Sequence, residues 1–157
     1  MAQFDALEYY IDTLTDYLQE FLNRNEIDCT VSFGPDFAYW YKISDISVSC
    51  IVPEAKNDSF LNFVKILFPE IKADIFLWSF LHEVGHHETI DDFDDLEHQV
   101  YQFIVQRAEI SDEYYYNLPI EKAATEWAGE FMKNNVSEVQ RLWNNIQPVL
   151  KRLYTEI

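Results

Sequence analysis

The first stretch of the chain, residues 4–24, places apolar residues three and four positions apart, which is typical of an amphipathic α-helix. Over Cys29–Phe33 the pattern changes to an alternation of apolar and polar residues. Two further segments, Phe37–Ile43 and Ile46–Val52, have the length and composition of strands. The pattern therefore predicts an N-terminal helix followed by three strands.

The third of these predicted strands has one apolar and one polar face. Ile46, Val48 and Cys50 fall on one side of an extended chain, and Ser47 and Ser49 fall on the other. A strand that is polar on one face favours a position at the edge of a sheet. We therefore expect this segment to be an edge strand.

The rest of the chain returns mainly to helical spacing, punctuated by residues that start or stop helices. The predicted elements are a helix capped at Asn57–Ser59 and running through Phe68, a helix opened by Pro69 and running to Glu88, a helix started by a capping box at Asp94–Glu97 and running to Glu109, a loop or short extended piece over Ser111–Leu118, a helix from Pro119 to Lys133, and a last helix capped at Ser137–Gln140 that Pro148 should kink or split. No repeat or linker interrupts this order. The sequence thus predicts one α+β domain covering residues 1–157.

The chain is strongly acidic, with 28 Asp and Glu residues against 11 Lys and Arg residues and a formal net charge of −17. This charge argues against a nucleic-acid-binding surface, which should be basic. It favours a basic protein or peptide as partner or substrate through long-range attraction. Much of the acid lies in Asp91–Asp95, where the simplest interpretation is a solvated surface that aids solubility.

Composition also bounds the compartment. A hydrophobic content of 48% excludes a disordered chain, and without an apolar run of about 18 residues we expect no membrane span. The first residues include an acid and no basic stretch, so a secretory signal is not expected. Cys29 and Cys50 fall on predicted strands and fit buried thiols in a reducing compartment. We therefore expect a cytoplasmic protein.

The chemistry of the chain is concentrated in the run His82-Glu83-Val84-Gly85-His86, an HExxH motif. Two His at positions i and i+4 lie one above the other on a helix and can converge on one ion. Zinc binds neutral imidazole nitrogen and keeps an open coordination position in catalytic sites. Glu83 is placed to act as general base on the metal-bound water. The uncharged stretch Ile75–Leu81 predicts a buried helix that leads rigidly into the motif.

A catalytic zinc ion usually has a third protein ligand. The strongest candidate is Glu121, in the first turn of a later predicted helix, with Thr125 one turn further on and able to hydrogen-bond a ligand. The other candidates are Glu126, Asp92 and His98. The predicted metal ligands are therefore His82, His86 and Glu121.

This pairing resembles the ImmA/IrrE-type metallopeptidases, a branch of the gluzincin zinc peptidases. Their pattern is HExGH on one helix and Glu-x-x-Ala-Asn-x-Phe-Ala on a later one. Here the two parts are His82–His86 and Glu121–Ala128, with Thr125 where the family prefers Asn. The resemblance implies a zincin-like fold, Zn²⁺ held by His82, His86 and Glu121, and Glu83 as general base. It also implies an enzyme of a bacterial or phage cytoplasm that acts on a regulatory protein.

We therefore expect a zinc metallopeptidase that hydrolyses a peptide bond with a water activated by zinc and Glu83. A substrate peptide is expected to pair with Ile46–Val52, and one of Tyr114, Tyr115 and Tyr116 is a candidate to stabilise the oxyanion. Two other functions stay open. One is a zinc-binding interaction domain without catalysis, and the other is an acidic inhibitor that mimics nucleic acid.

Overall fold

The computed structural model of the protein describes residues 2–49, 54–107 and 109–156. Its elements in chain order are α1 Ala2–Arg24, β1 Thr30–Phe33, β2 Ala38–Trp40, β3 Asp45–Val48, α2 Glu54–Leu67, α3 Ile75–Thr89, α4 Asp95–Gln106, α5 Asp112–Asn117, α6 Pro119–Asn134 and α7 Val136–Glu156, with a 3₁₀ turn at Ile90–Asp92 after α3. The predicted α+β class is confirmed, with an N-terminal helix, three strands and then helices. None of the helices in the described ranges combines the length and the apolarity needed to cross a membrane.

The chain forms two compact units, one made of Met1–Ile51 with Asn134–Ile157 and the other of Val52–Lys133. In the first unit, α1 packs against α7 and against β1. The apolar positions that the sequence spaced three and four apart are buried in both helices: Leu14, Leu18, Phe21 and Leu22 in α1, and Leu142, Ile146, Val149, Leu150 and Leu153 in α7. The predicted helix over residues 4–24 is thereby confirmed.

The three strands form one mixed sheet in which β3 pairs in parallel with β1 and antiparallel with β2. Because the order is β1-β3-β2, the expectation that Ile46–Val52 forms a sheet edge is wrong for the part described, and Cys50 to Val52 lie outside the described residues. Ser47 and Ser49 are both buried. Ser49 tolerates burial because its hydroxyl donates to the Pro35 carbonyl at 3.0 Å. Cys29 is a buried thiol, as expected.

The last helix is longer and more continuous than predicted. It begins at Val136, one residue before the predicted Ser137 cap, and it continues without interruption through Pro148. Pro148 is exposed, whereas Ile146 and Val149 on either side of it are buried. Burial of the apolar face on both sides of the proline keeps the helix whole, so the expected split does not occur.

The second unit is built around α3, which is buried on most of its circumference. The helix begins after Asp74, whose carboxylate accepts a hydrogen bond from the Phe76 amide at 2.8 Å. The prediction that Pro69 opens this helix is therefore wrong. Pro69 instead lies in a turn after α2, where the Ile71 amide donates to the Phe68 carbonyl. The capping box predicted at Asp94 is present at the start of α4.

The segment Ser111–Leu118, predicted as a loop or an extended piece, contains the helix α5. The Ser111 hydroxyl accepts a hydrogen bond from the Tyr114 amide and caps the helix. Packing against α2 stabilises the short helix further, because the Tyr116 ring stacks on Phe63 and lies against Phe60. The cap and this aromatic contact together outweigh the low helix propensity of three consecutive tyrosines.

Candidate metal centre

The two motif histidines lie one above the other on α3, with ring centroids 4.7 Å apart. The helix α6 crosses α3 at Gly85, where an added Cβ would come within 2.9 Å of the Ala124 Cα atom and carbonyl carbon. Glycine at this position therefore allows the two helices to approach at backbone distance. The crossing places Glu121, in the first turn of α6, opposite His82 and His86.

Three side chains converge at this crossing. Oε2 of Glu121 lies 3.0 Å from Nε2 of His82 and 2.9 Å from Nε2 of His86. One ligand atom from each of the three residues lies within 4.8 Å of the others. A tetrahedral ion with bonds of about 2.0–2.1 Å keeps its ligand atoms ~3.3 Å apart, so the separations suit a metal ion. His82, His86 and Glu121 are thus close enough to bind one together.

The second oxygen of Glu121 is held by two phenols. The hydroxyls of Tyr101, on α4, and Tyr115, on α5, donate to Oε1 at 2.7 and 2.6 Å. Burial and the nearby Glu121 charge raise the pKa of both phenols, so both keep the proton that they donate. Two donors on Oε1 leave Oε2 as the only oxygen that Glu121 presents to the histidines.

The hydroxyl of Thr125 orients His82. It donates to the Glu121 carbonyl at 3.3 Å, and it lies 2.9 Å from Nδ1 of His82. Because its proton is used on the carbonyl, the Thr125 oxygen accepts the Nδ1–H of His82. With a cation in the site, the lone pair of His82 would then be on Nε2, the atom that faces Glu121 and His86. The donor set of this site therefore fits a cation bound through imidazole Nε2 atoms.

Charge inside the cluster also suits a cation. Burial opposes the charged forms of Glu121 and His86, but the two imidazoles hold the pKa of Glu121 well below its usual value. For His86, burial lowers the pKa, but the charge and hydrogen bond of Glu121 and the charge of Glu83 raise the pKa to about 9. Near neutral pH, a proton on His86 therefore balances the buried carboxylate. Binding of a divalent cation would release that proton.

Glu83 lies next to His82 on α3, less than one turn before His86, and is half-buried. No hydrogen bond joins its side chain to another of the described residues. Burial raises its pKa, against the lowering effects of His86 and His82. Its carboxylate is therefore close to the cluster and available to a molecule bound there.

The alternative ligands predicted from the sequence lie outside the cluster. Asp92, in the 3₁₀ turn after α3, and Glu126, on α6, are exposed. His98 lies on α4, where its Nε2 contacts the Ile90 carbonyl at 3.1 Å. The only group of three or more potential ligands found within the described ranges is His82, His86 and Glu121.

The three tyrosines named as candidate oxyanion donors have different surroundings. The Tyr115 hydroxyl donates to Glu121, the Tyr116 ring packs on phenylalanines, and Tyr114 is exposed. Tyr101 was missed by the sequence analysis. Tyr101 lies at a partly buried position on α4, and no pattern in the sequence indicates that its hydroxyl reaches Glu121.

Comparison with known proteins does not bear on this geometry. No family model, no curated protein and no solved structure matches the chain.

Proposed function

We propose that the protein is a zinc-dependent metallopeptidase in which His82, His86 and Glu121 bind Zn²⁺ and Glu83 is the general base. The observation that carries this proposal is the convergence of the three potential ligands beside the acid of the same HExxH motif. Zinc held by two imidazoles and one carboxylate, with a fourth position open, is the donor set of known catalytic sites.

A bound zinc ion would supply a Lewis acid for the scissile carbonyl and lower the pKa of the attacking water. The Glu83 carboxylate would accept the proton of that water and pass it to the leaving amine. Its half-buried carboxylate has no hydrogen-bond partner among the described residues that would have to be displaced first. This availability is what a general base requires.

The residues around the three potential ligands limit each of them to one ligand atom. Tyr101 and Tyr115 bind Oε1 of Glu121, so the carboxylate offers a single ligand atom. Thr125 fixes the His82 ring so that Nε2 points inward. Each of the three side chains would therefore offer a bound ion one ligand atom, which would leave room for water and substrate.

The resemblance to ImmA/IrrE-type metallopeptidases supports the same proposal from the sequence side. We extend it to a cytoplasmic protein or peptide substrate, in keeping with the acidity of the chain. The expected pairing of the substrate with Ile46–Val52 is not part of the proposal, since the described part of that segment is the central strand.

The test is digestion of a complex peptide library by the zinc-loaded protein, with the products identified by mass spectrometry. We expect new peptide ends that disappear when a chelator removes zinc and return when zinc is restored. Zinc binding without any cleavage would contradict the peptidase proposal and favour a zinc-binding interaction domain.

Replacing Gly85 with Ala is expected to weaken zinc binding at least tenfold. The new methyl group would overlap the Ala124 backbone and force α6 away from α3, which separates Glu121 from the two histidines. The cost in unfolding free energy is about 1–3 kcal/mol. Competition with a chromophoric chelator measures the affinity. The matched control is Gly129→Ala, whose methyl group meets the Phe68 ring and should lower stability without loss of zinc. Equal affinities in the two variants would contradict the role given to the helix crossing.

Replacing Tyr101 and Tyr115 together by Phe is expected to lower zinc affinity about 10–100-fold, because Glu121 then loses both donors to Oε1. The single variants should lie in between. Tyr114→Phe, at an exposed position, is the control and should bind zinc like the wild type. If the double variant also binds like the wild type, the two hydroxyls do not position Glu121.

A further inference from the structure

The helix α4 has no buried residue, and one of its faces is apolar. Leu96, Val100 and Phe103 are spaced four and three residues apart, so they lie on the same side of the helix. They are 66%, 49% and 54% exposed. These three residues are called the α4 stripe below. An exposed apolar row of this kind on a helix is typical of a surface that another chain covers.

The helix that carries the stripe has capping hydrogen bonds at both ends. The capping box at Asp94 starts it, and the Arg107 amide closes it by donating to the Ile104 carbonyl. The Arg107 guanidinium lies over the Phe103 ring at 3.9 Å from its centroid. The α4 stripe is therefore a preformed surface, and a partner does not need to fold it.

The surroundings of the stripe are strongly acidic. Between Glu88 and Glu113 the chain has nine acidic residues and a single basic one, Arg107. All nine acidic side chains are exposed. A second copy of this chain would bring the same negative charge to the contact and be repelled. A partner that presents Lys or Arg around an apolar row is complementary to it.

The same helix also contacts the candidate metal centre. Tyr101 lies between Val100 and Phe103 in sequence, but it points from another face of α4 and donates to Glu121. A segment bound on the α4 stripe therefore lies on the element that holds a metal ligand in place. This position suits recognition of a substrate close to the site of cleavage.

We propose that the α4 stripe is a docking surface for a basic, amphipathic helical segment of the protein substrate. The proposal rests on the proposed peptidase function, which it extends by giving the chemical class of the substrate. Apolar side chains of the segment cover Leu96, Val100 and Phe103, and its Lys and Arg residues face the acidic side chains around them. Docking raises the local concentration of the substrate at the metal centre.

The probe is an amphipathic peptide of about 16 residues, long enough to form a helix, with Leu at helical spacing and Lys elsewhere. Its controls are a scrambled peptide of the same composition and a peptide with Glu in place of Lys. Binding to the wild-type chain is measured by fluorescence anisotropy, with the peptide checked by mass spectrometry for integrity. We expect the amphipathic Lys peptide to bind at least tenfold more tightly than the scrambled peptide, and the Glu peptide not to bind.

The variant Leu96→Gln/Phe103→Gln keeps good helix formers and should weaken this binding at least tenfold. The matched control is Tyr41→Gln/Ile43→Gln, which removes two apolar residues of similar exposure in the other unit and should change binding less than twofold. A second variant, Asp91→Asn/Asp92→Asn/Asp95→Asn, should weaken binding and reduce its dependence on salt. Equal loss in both double variants, or no preference for the amphipathic peptide, would overturn the proposal. Dimerisation of the chain that the α4 variant abolishes would identify a second copy as the occupant and would overturn it as well.

These binding measurements do not depend on hydrolysis. Loss of peptide binding in the α4 variant, with library cleavage intact, supports the docking surface and leaves the peptidase function standing. Peptide binding by a protein that cleaves nothing would support the surface while contradicting the proposed function.

Discussion

Replacing Glu83 with Gln is expected to reduce peptide hydrolysis by about 10²–10⁴-fold and to leave zinc bound. Gln has the shape of Glu but cannot take a proton from the attacking water. Glu83 makes no hydrogen bond to another described residue, so the substitution leaves the three ligands undisturbed. Initial rates on a peptide recovered from the library, together with zinc content per chain, measure both parts of this prediction.

The control for this variant is Glu88→Gln, which removes an exposed carboxylate from the same helix. It changes the net charge by the same amount and should keep full activity. Retention of activity by the Glu83 variant would show that another group accepts the proton. Loss of zinc in that variant would show instead that Glu83 supports the fold of the site.

Replacing Glu121 with Ala is expected to abolish zinc binding and, in addition, to destabilise the metal-free protein by about 3–5 kcal/mol. Glu121 is 1% exposed and accepts hydrogen bonds from Tyr101 and Tyr115. The Glu121 carboxylate also raises the pKa of His86. Its removal leaves the two phenols and the half-buried imidazole of His86 without their acceptor. Urea unfolding in the presence of a chelator measures the loss.

The matched control is Glu126→Ala, which removes a carboxylate from the exposed side of the same helix. Its unfolding free energy should stay within about 0.5 kcal/mol of the wild type. If the Glu121 and Glu126 variants unfold at the same urea concentration, the buried cluster does not stabilise the protein. The zinc content of the two variants would still report on ligation.

The sequence predicts the elements of this site well because its signals are local. The i and i+4 spacing of His82 and His86 fixes their common face once the segment is helical, and the apolar run before them ensures burial. Glu121 falls in the first turn of α6 because Pro119 begins that helix. The crossing at Gly85 then brings the predicted ligands together.

The features that the sequence does not predict depend on contacts between distant segments. β3 is the central strand because it pairs with both β1 and β2. Ser47 and Ser49, from which an edge position was expected, carry no information about this pairing. The contact of Tyr101 with Glu121 joins α4 to α6 and has no local signal. The start of α5, in contrast, does have a local signal, because Ser111 is a preferred N-cap residue and stands just before the helix.

The most direct test of the account is the zinc content of the purified protein after zinc has been supplied and the excess removed. The wild type, Asp92→Asn and Glu126→Gln are expected to retain about one zinc ion per chain, while His82→Ala and Glu121→Ala are expected to retain none. Wild-type protein without zinc, or zinc retained by the His82 and Glu121 variants, would contradict the claim that His82, His86 and Glu121 form the metal site.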